Sequence, residues 1–404
     1  MKHLKTLTLG AVLLSGTAMT ATAGEELHFI MCGGEVREAD QVVVDAFEAK
    51  HDGVTVNMEA VPWGTCQDKS LTLAAAGDPP SIAYMGSRTL RQMAVNDLIV
   101  PAVISDELAA AYQPGVLQTV TIEGKQWGYP HAFSAKALFI NCDLAEAAGV
   151  ACEAPATWAD MITMATAIND NTDAAGFGIP AKDFDNTMHY FLNFLYSNGG
   201  TVIDTTTGEN MLDSVETREV LQLYADLTPV AQEGPTAHER TQVKDLYNDG
   251  LVAMYIDGPW GRSQHNEGAN EIAVPVPAGP HGTSGTLLIT DSIAVFKGSG
   301  HEDLALELAQ MISSGDAQYD LDSTWGLLPI FQYEKVGVEA PYYTTDAYWD
   351  VFVSSIPTGG PEPLVEDFKS LQAVFTNMIQ GIVLGDDTVD NLVTIAGEEL
   401  NDAM

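Results

Sequence analysis

The chain has 404 residues, 46% of them apolar, which is length enough for two or three domains with substantial cores and a composition outside the disordered class. Only 17 Lys and Arg stand against 56 Asp and Glu, a formal charge of −39, and such a surface repels phosphate backbones and anionic headgroups, which argues against nucleic-acid binding. Salt screens the self-repulsion of so acidic a surface, so a saline habitat is expected, with an unfolding midpoint that rises with ionic strength; a midpoint independent of salt would refute this.

Residues 1–23 form a pattern of their own. Lys2 and Lys5 precede a mostly apolar run from Leu7 to Leu14, and Ala21-Thr22-Ala23 closes the segment. This reads as a secretory signal peptide cleaved before Gly24. A membrane anchor needs roughly 20 consecutive apolar residues, whereas Ser15, Gly16 and Thr17 break this core. Cleavage takes the charge to −41 through loss of the two lysines. No later run is long enough to span a bilayer, so the mature chain is expected to be soluble and exported. An oxidising compartment favours disulfides among the four cysteines. Cys142 and Cys152 bracket a short helix and turn that can bring them together, which leaves Cys32 for Cys66. Three pairings, or four buried thiols, stay open on sequence grounds.

In chain order, Glu26–Cys32 reads as a strand, and Arg37–His51 as a helix with Ala39, Val42, Val43 and Phe47 on one face. Val54–Val61 alternates as a second strand. A helix is expected near Asp68–Ala76, broken by Gly77-Asp78-Pro79-Pro80, before a third strand, Ser81–Met85, and the turn Gly86-Ser87-Arg88. Strand and helix alternate, which implies a mostly parallel sheet covered on both faces. Trp127–Leu144 changes character and reads as a crossing into a second lobe. That lobe opens with a helix marked by Pro155 and the cap-like Thr157-Trp158-Ala159-Asp160. Gly176–Pro180 reads as a strand, followed by helices near Thr187–Ser197, Val215–Leu227 and His238–Tyr247. A strand over Leu251–Ile256 then ends at Asp257-Gly258-Pro259-Trp260. After a strand at Ile272–Val276, Gly285–Phe296 reads as the return crossing, and the remainder is mainly helical.

Motifs of several catalytic classes do not occur. The chain has no G-x-S-x-G elbow, no phosphate-binding G-x-x-x-x-G-K followed by Ser or Thr, and no H-E-x-x-H. Gly282-Thr283-Ser284-Gly285 has the wrong spacing for the elbow and reads as a flexible turn. The nine His are scattered, no C-x-x-C occurs, and Asp170-Asn171-Thr172-Asp173 lacks the glycine and distal Glu of a calcium loop. No metal and no cofactor is therefore expected. A glycosidase-like carboxylate pair cannot be picked out among so many acids.

Four segments carry a family resemblance. They are Trp127-Gly128-Tyr129-Pro130 continuing through Phe139-Ile140-Asn141-Cys142-Asp143-Leu144 to Ala148-Gly149; Pro155-Ala156-Thr157-Trp158; Asn248–Met254 with Gly258-Pro259-Trp260; and Gly381–Asp387. In this order and spacing the chain resembles the extracellular solute-binding proteins of ABC importers, in the carbohydrate-binding class that includes maltose-binding protein. Two positions depart from that pattern: Thr290-Asp291 stands where most relatives carry a glycine pair, and Phe139-Ile140 where they carry a tyrosine pair.

The resemblance implies an α/β, two-lobed periplasmic-binding-protein fold with mixed sheets flanked by helices and a ligand cleft at the hinge. Its first lobe would comprise residues 24–130 and 288–333, and its second 131–287 and 334–404. It implies a non-enzymatic, monomeric periplasmic protein that delivers a sugar, oligosaccharide or polyol to permease subunits. Sugars need polar groups for their hydroxyls and aromatic rings for their C–H faces, and such groups converge on loops at the carboxyl ends of strands. That selects Glu35 after the first strand and Gly86 and Arg88 after the third, with Trp63 as a cleft wall. The resemblance adds His131, Phe133 and Ser134 on the first crossing, Asp185 before a helix containing Tyr190 and Tyr196, and Trp260 after Gly-Pro. Thr290 and Asp291 on the return crossing and Trp325 in Ser323-Thr324-Trp325-Gly326 complete the set.

Each of these residues also has a plainer reading. Glu35 can complement a helix dipole, Arg88 can form a surface ion pair, the crossing residues can pack the hinge, and the tryptophans can fill cores. Arg37, Arg88, Arg240 and Lys136 stand out in so cation-poor a chain and motivate an anionic variant of the ligand, such as a sugar acid or a glycerophosphate type. A secreted carbohydrate-active enzyme and an adhesive exported protein are the alternatives of different class.

Overall fold

The computed structural model describes residues 24–404 other than Thr205 and Thr283, so the expected signal peptide lies outside the described residues. Eight strands of at least four residues occur among them: β1 (Glu25–Cys32), β2 (Val54–Val61), β3 (Ile82–Gly86), β4 (Tyr129–Ser134), β5 (Ala137–Asn141), β6 (Met254–Asp257), β7 (Glu271–Val274) and β8 (Leu287–Val295). They form two sheets, one in each lobe. In the larger, β2, β1 and β3 run parallel in that order, and β8 joins β3 antiparallel. β4 then pairs with β8, as do the two residues Gly360–Pro361. The smaller sheet has β5 at its centre, antiparallel to β6 and to β7.

The residue patterns explain these placements. β3, Ile-Ala-Tyr-Met-Gly, is buried throughout, as an inner strand covered on both faces must be. β2 alternates exposed and half-buried residues at the sheet edge, the pattern of a strand with one solvated face. Helices Glu38–Lys50 and Glu302–Ile312 cover the first core, around Phe29, Phe47, Tyr84 and Phe296. The second core gathers around helix Asp185–Ser197, whose Met188, Phe191, Leu192, Phe194 and Leu195 are buried. Helices Val215–Leu227 and Phe368–Leu384 pack against it.

Helix Trp158–Asn171 opens with the expected cap: the Thr157 side chain accepts from Asp160 N, and the Asp160 carboxylate accepts from Thr157 N. Cys32 is bonded to Cys66 and Cys142 to Cys152, with Cα separations of 5.5 and 5.2 Å.

Three expectations differ from the structure. Gly176–Pro180 is not a strand; Phe177 makes one isolated bridge to Ala231. The glycines explain this, since a Cβ on Gly176 would stand 2.0 Å from Ala165 O and one on Gly178 2.4 Å from Val243 Cγ1. The segment is threaded between neighbours at backbone distance, and Pro180 cannot donate to a ladder. The helix expected near Asp68 begins at Trp63 instead, directly after Pro62, whose fixed φ suits a helix entry. The division expected between Pro130 and His131 falls inside β4, which pairs with β8 from Tyr129↔Ile293 to Ser134↔Ile289 across a bulge that leaves His131 unpaired opposite Asp291 and Ser292. The chain changes sheets at Ala135-Lys136, between β4 and β5.

Candidate functional site

Between the lobes lies a cavity of about 440 Å³. Its aromatic lining comes from both lobes. Trp63 opens the helix after β2 and Trp325 ends the helix Gly315–Trp325. Their rings lie 10° from parallel with centres 6.4 Å apart, and Tyr84 stands edge-on to both. From the opposite lobe, Trp260 follows β6. Its indole N–H donates to Asp257 Oδ1 at 2.8 Å, and its ring lies across Gly258, where a Cβ would meet Cζ2 at 2.5 Å. Glycine before Pro-Trp is therefore a packing requirement that lets the indole lie flat.

Asp257 is a hub. It is 1% exposed and accepts from Gly258 N at 2.8 Å, Tyr255 Oη at 2.7 Å and Arg240 Nη1 at 3.0 Å. The Arg240 guanidinium stands 5.8 Å from the Trp260 ring centre, and the Lys136 ammonium 4.2 Å, so the indole is flanked by cations at cation–π distance.

Arg88 is the second hub and joins the lobes. β3 passes directly into helix Ser87–Val95, which buries the Arg88 side chain. Nη2 donates to Asp185 Oδ2 at 2.9 Å, and Nη1 to Asp291 Oδ1 and Glu362 Oε2 at 3.4 Å each. Glu362 also contacts His189 Nε2 at 2.5 Å, and Asp291 accepts from Tyr84 Oη at 3.0 Å. Burial alone would raise both carboxyls. For Glu362, the charges of Arg88 and His189 outweigh burial and hold it at about 2. For Asp291, burial wins and it stands above the usual carboxylate range, despite Arg88.

Asp185, Asn186, His189, Tyr190 and Asn193 all line the cavity. Their spacing in one helix, Asp185–Ser197, places them on a single face. That face is turned to the cleft while the rest of the helix is in the core.

Of the residues selected from sequence, Trp63, Arg88, Phe133, Ser134, Asp185, Trp260, Asp291 and Trp325 line the cavity. The structure places the others elsewhere. Glu35 is exposed in the turn after β1, ahead of the helix that starts at Glu38. Gly86 contributes by having no side chain: a Cβ there would stand 2.5 Å from Arg88 Nη1. His131 is wholly buried, 3.4 Å from Asp40 Oδ1. Although burial acts to raise the Asp40 carboxyl, His131 and Arg37 together hold it below its ordinary value. Thr290 is buried in register with Phe133.

Lys136, Asp257 and Arg240 also line the cavity, with Glu362 behind Arg88. The scarcity of cations was the signal for Lys136 and Arg240; Asp257 and Glu362 carried none among so many acids. Among the described residues no group of three or more His, Cys, Asp or Glu side chains is placed to hold a metal ion.

Two lobes with a ligand-sized cleft between them define a two-lobed, ligand-binding architecture. The family described as bacterial extracellular solute-binding protein matches residues 33–319, more than half of the chain, and the chain belongs to that family. A protein of Brucella abortus, named only as a binding protein, is 28% identical over 351 residues, 85% of this chain and 84% of its own length. An uncharacterized ABC transporter extracellular-binding protein of Pyrococcus horikoshii is 24% identical over 342 residues, 78% of this chain and 73% of its own.

Among solved structures, maltose-bound T. maritima MalE3 superposes with a TM-score of 0.81 at 20% identity, covering 93% of this chain and 99% of that one. A solute-binding protein of Thermotoga lettingae bound with α-D-tagatose gives 0.81 at 22% identity, covering 94% and 99%. The acarbose-binding GacH receptor of Streptomyces glaucescens gives 0.79 at 21%, covering 94% and 98%. These establish the two-lobed fold.

Proposed function

We propose that the protein captures a sugar, oligosaccharide or polyol in this cleft outside the cytoplasmic membrane, and delivers it as a monomer to the permease subunits of an ABC importer. The observation that carries this reading is the composition of the cleft wall: three of the six tryptophans, Trp63, Trp260 and Trp325, face one cavity together with carboxylate, amide and guanidinium groups. Rings take the C–H faces of a sugar and the polar groups take its hydroxyls. Arg88 reaches Asp185 across the cleft, a contact of the kind that favours a closed state over an open one. The maltose, tagatose and acarbose held by the structural relatives support the same ligand class.

A thermal-shift screen of the mature protein against mono-, di- and trisaccharides, polyols, sugar acids and glycerophosphates tests the reading, because a ligand of the native state alone raises the midpoint once it exceeds its Kd. Mass spectrometry of the denatured supernatant identifies any ligand carried through purification. With the best ligand in hand, Trp260→Ala is expected to weaken binding by roughly tenfold or more in calorimetry carried out below the variant's own melting midpoint. Unchanged affinity would remove Trp260 from the site.

A further inference from the structure

Lys136 stands apart from the other charges of the cleft. Arg88 is met by three carboxylates and Arg240 by Asp257, whereas no carboxylate among the described residues lies within 4.0 Å of the Lys136 ammonium. Yet Lys136 is only 7% exposed and lines the cavity. Its ammonium makes one hydrogen bond, to Ser134 Oγ at 3.1 Å, and an ammonium carries three donors. The Trp260 ring, 4.2 Å away, offsets part of the ammonium's lost hydration, but a buried cation with N–H donors to spare is costly unless a further partner arrives.

The backbone around it is fixed: Lys136 N donates to Thr286 Oγ1 at 2.8 Å, and the same hydroxyl donates to Lys136 O at 3.0 Å. The charged groups facing it are Asp257 on β6, Asp291 on β8 and Glu362, which favour its charge, and Arg240, which opposes it. All three carboxylates are already committed to arginines. Burial prevails and pushes the ammonium down to about 8.

We propose that Lys136 receives an acid group of the ligand, so that the cleft takes a sugar acid whose carboxylate meets the ammonium while its C–H face lies on Trp260. This rests on the capture reading above and names its ligand class. A carboxylate oxygen accepts from an ammonium more strongly than a neutral hydroxyl does, and it also neutralises the buried charge. A phosphate dianion would add a second negative charge beside Asp257, Asp291 and Glu362, so one carboxylate matches one ammonium. Arg88 cannot serve as this anchor because its guanidinium is already held by carboxylates of the protein.

Titration calorimetry of the mature wild-type protein and of Lys136→Met, with D-galacturonate, D-glucuronate and digalacturonate against D-galactose, D-glucose and maltose, tests the proposal. At pH 7 at least one acid is expected to bind roughly tenfold tighter or more than its neutral counterpart, and Lys136→Met to erase that preference. In the wild type at pH 8.5 the acid should bind with proton uptake, seen as a dependence of the heat on the buffer's ionisation enthalpy, because the carboxylate raises the affinity of Lys136 for its proton. This second readout needs no variant. A neutral sugar bound as tightly as its acid, acid binding without proton uptake, or a preference that survives Lys136→Met overturns the proposal and leaves sugar capture standing. Failure of every compound to bind overturns both.

Discussion

Arg88→Met is expected to destabilise the protein by about 3–5 kcal/mol at pH 7, the usual cost of removing one partner from a buried ion cluster. Met fills much of the same volume, so the loss is one of charge. Asp185, Asp291 and Glu362 would face one another around a site that held their shared cation, with His189 left as the partner of Glu362 alone. The pH dependence separates this from a simple packing defect. Glu362 is held at about 2 in the native state, below its ordinary value, so its stabilisation is present above about pH 4.5 and is lost as pH falls towards 2. Without Arg88 the carboxylates protonate more readily, and the gap between variant and wild type should close as pH falls from 7 towards 4. Urea midpoints across that range measure it. A gap of constant size would mean that lost packing, not stranded charge, is the cause. Because Asp185 belongs to the opposite lobe, the variant should also show a larger radius of gyration in solution scattering. The same network predicts that the variant weakens binding of neutral and charged ligands alike.

Replacing Cys32 and Cys66 together with Ser is expected to cost about 4 kcal/mol, from the entropy that a bond across a 34-residue separation removes from the unfolded chain. The effect should reach function as well. The bond ties the end of β1 to the helix that opens with Trp63, and Trp63 is the exposed member of the pair facing Trp325. Thermal melts of the double variant against the wild type, with and without reductant, measure the stability. Reductant opens both bonds, so it should bring the wild-type midpoint down to that of the untreated variant or below it, any further drop belonging to Cys142–Cys152. Equal midpoints without reductant would show that this bond contributes nothing.

The parts of the fold that could be read from sequence are those governed by local pattern. The apolar runs of β1 and β3 and the helix Val215–Leu227 follow from periodicity, and Gly258-Pro259-Trp260 announces a ring laid over a residue without a side chain. Strand ends likewise directed attention to Arg88 and Trp63. What escaped notice depends on distance along the chain. Glu362 reaches Arg88 over 274 residues, and nothing near Glu362 sets it apart from the other acids. His131 looks like a cleft residue because it follows the crossing's proline, but it is the extra residue of a bulge in β4 and lies buried beside Asp40, a partner from another element. Glu35 follows a strand as cleft residues do, yet Gly33 and Gly34, both at positive φ, carry it out to solvent. The strand expected at Gly176–Pro180 failed for the same kind of reason: the packing of helix Trp158–Asn171 against it decides its shape.

The double hydrogen bond between Thr286 and Lys136 has a mechanical consequence. One hydroxyl spans two of the three chain passages that link the lobes, and the neighbouring Leu287 N donates to Asn193 Oδ1 at 2.9 Å. Two ribbons fastened at a common rivet resist sliding past each other and turn more readily about it. Opening is then the swing of two lever arms, negligible beside the rivet and largest at the far ends of the molecule. Probes at Val42 and Leu384, both exposed and one in each lobe, would register nearly the whole stroke, and Thr286→Val would free the joint while leaving the jaws themselves intact.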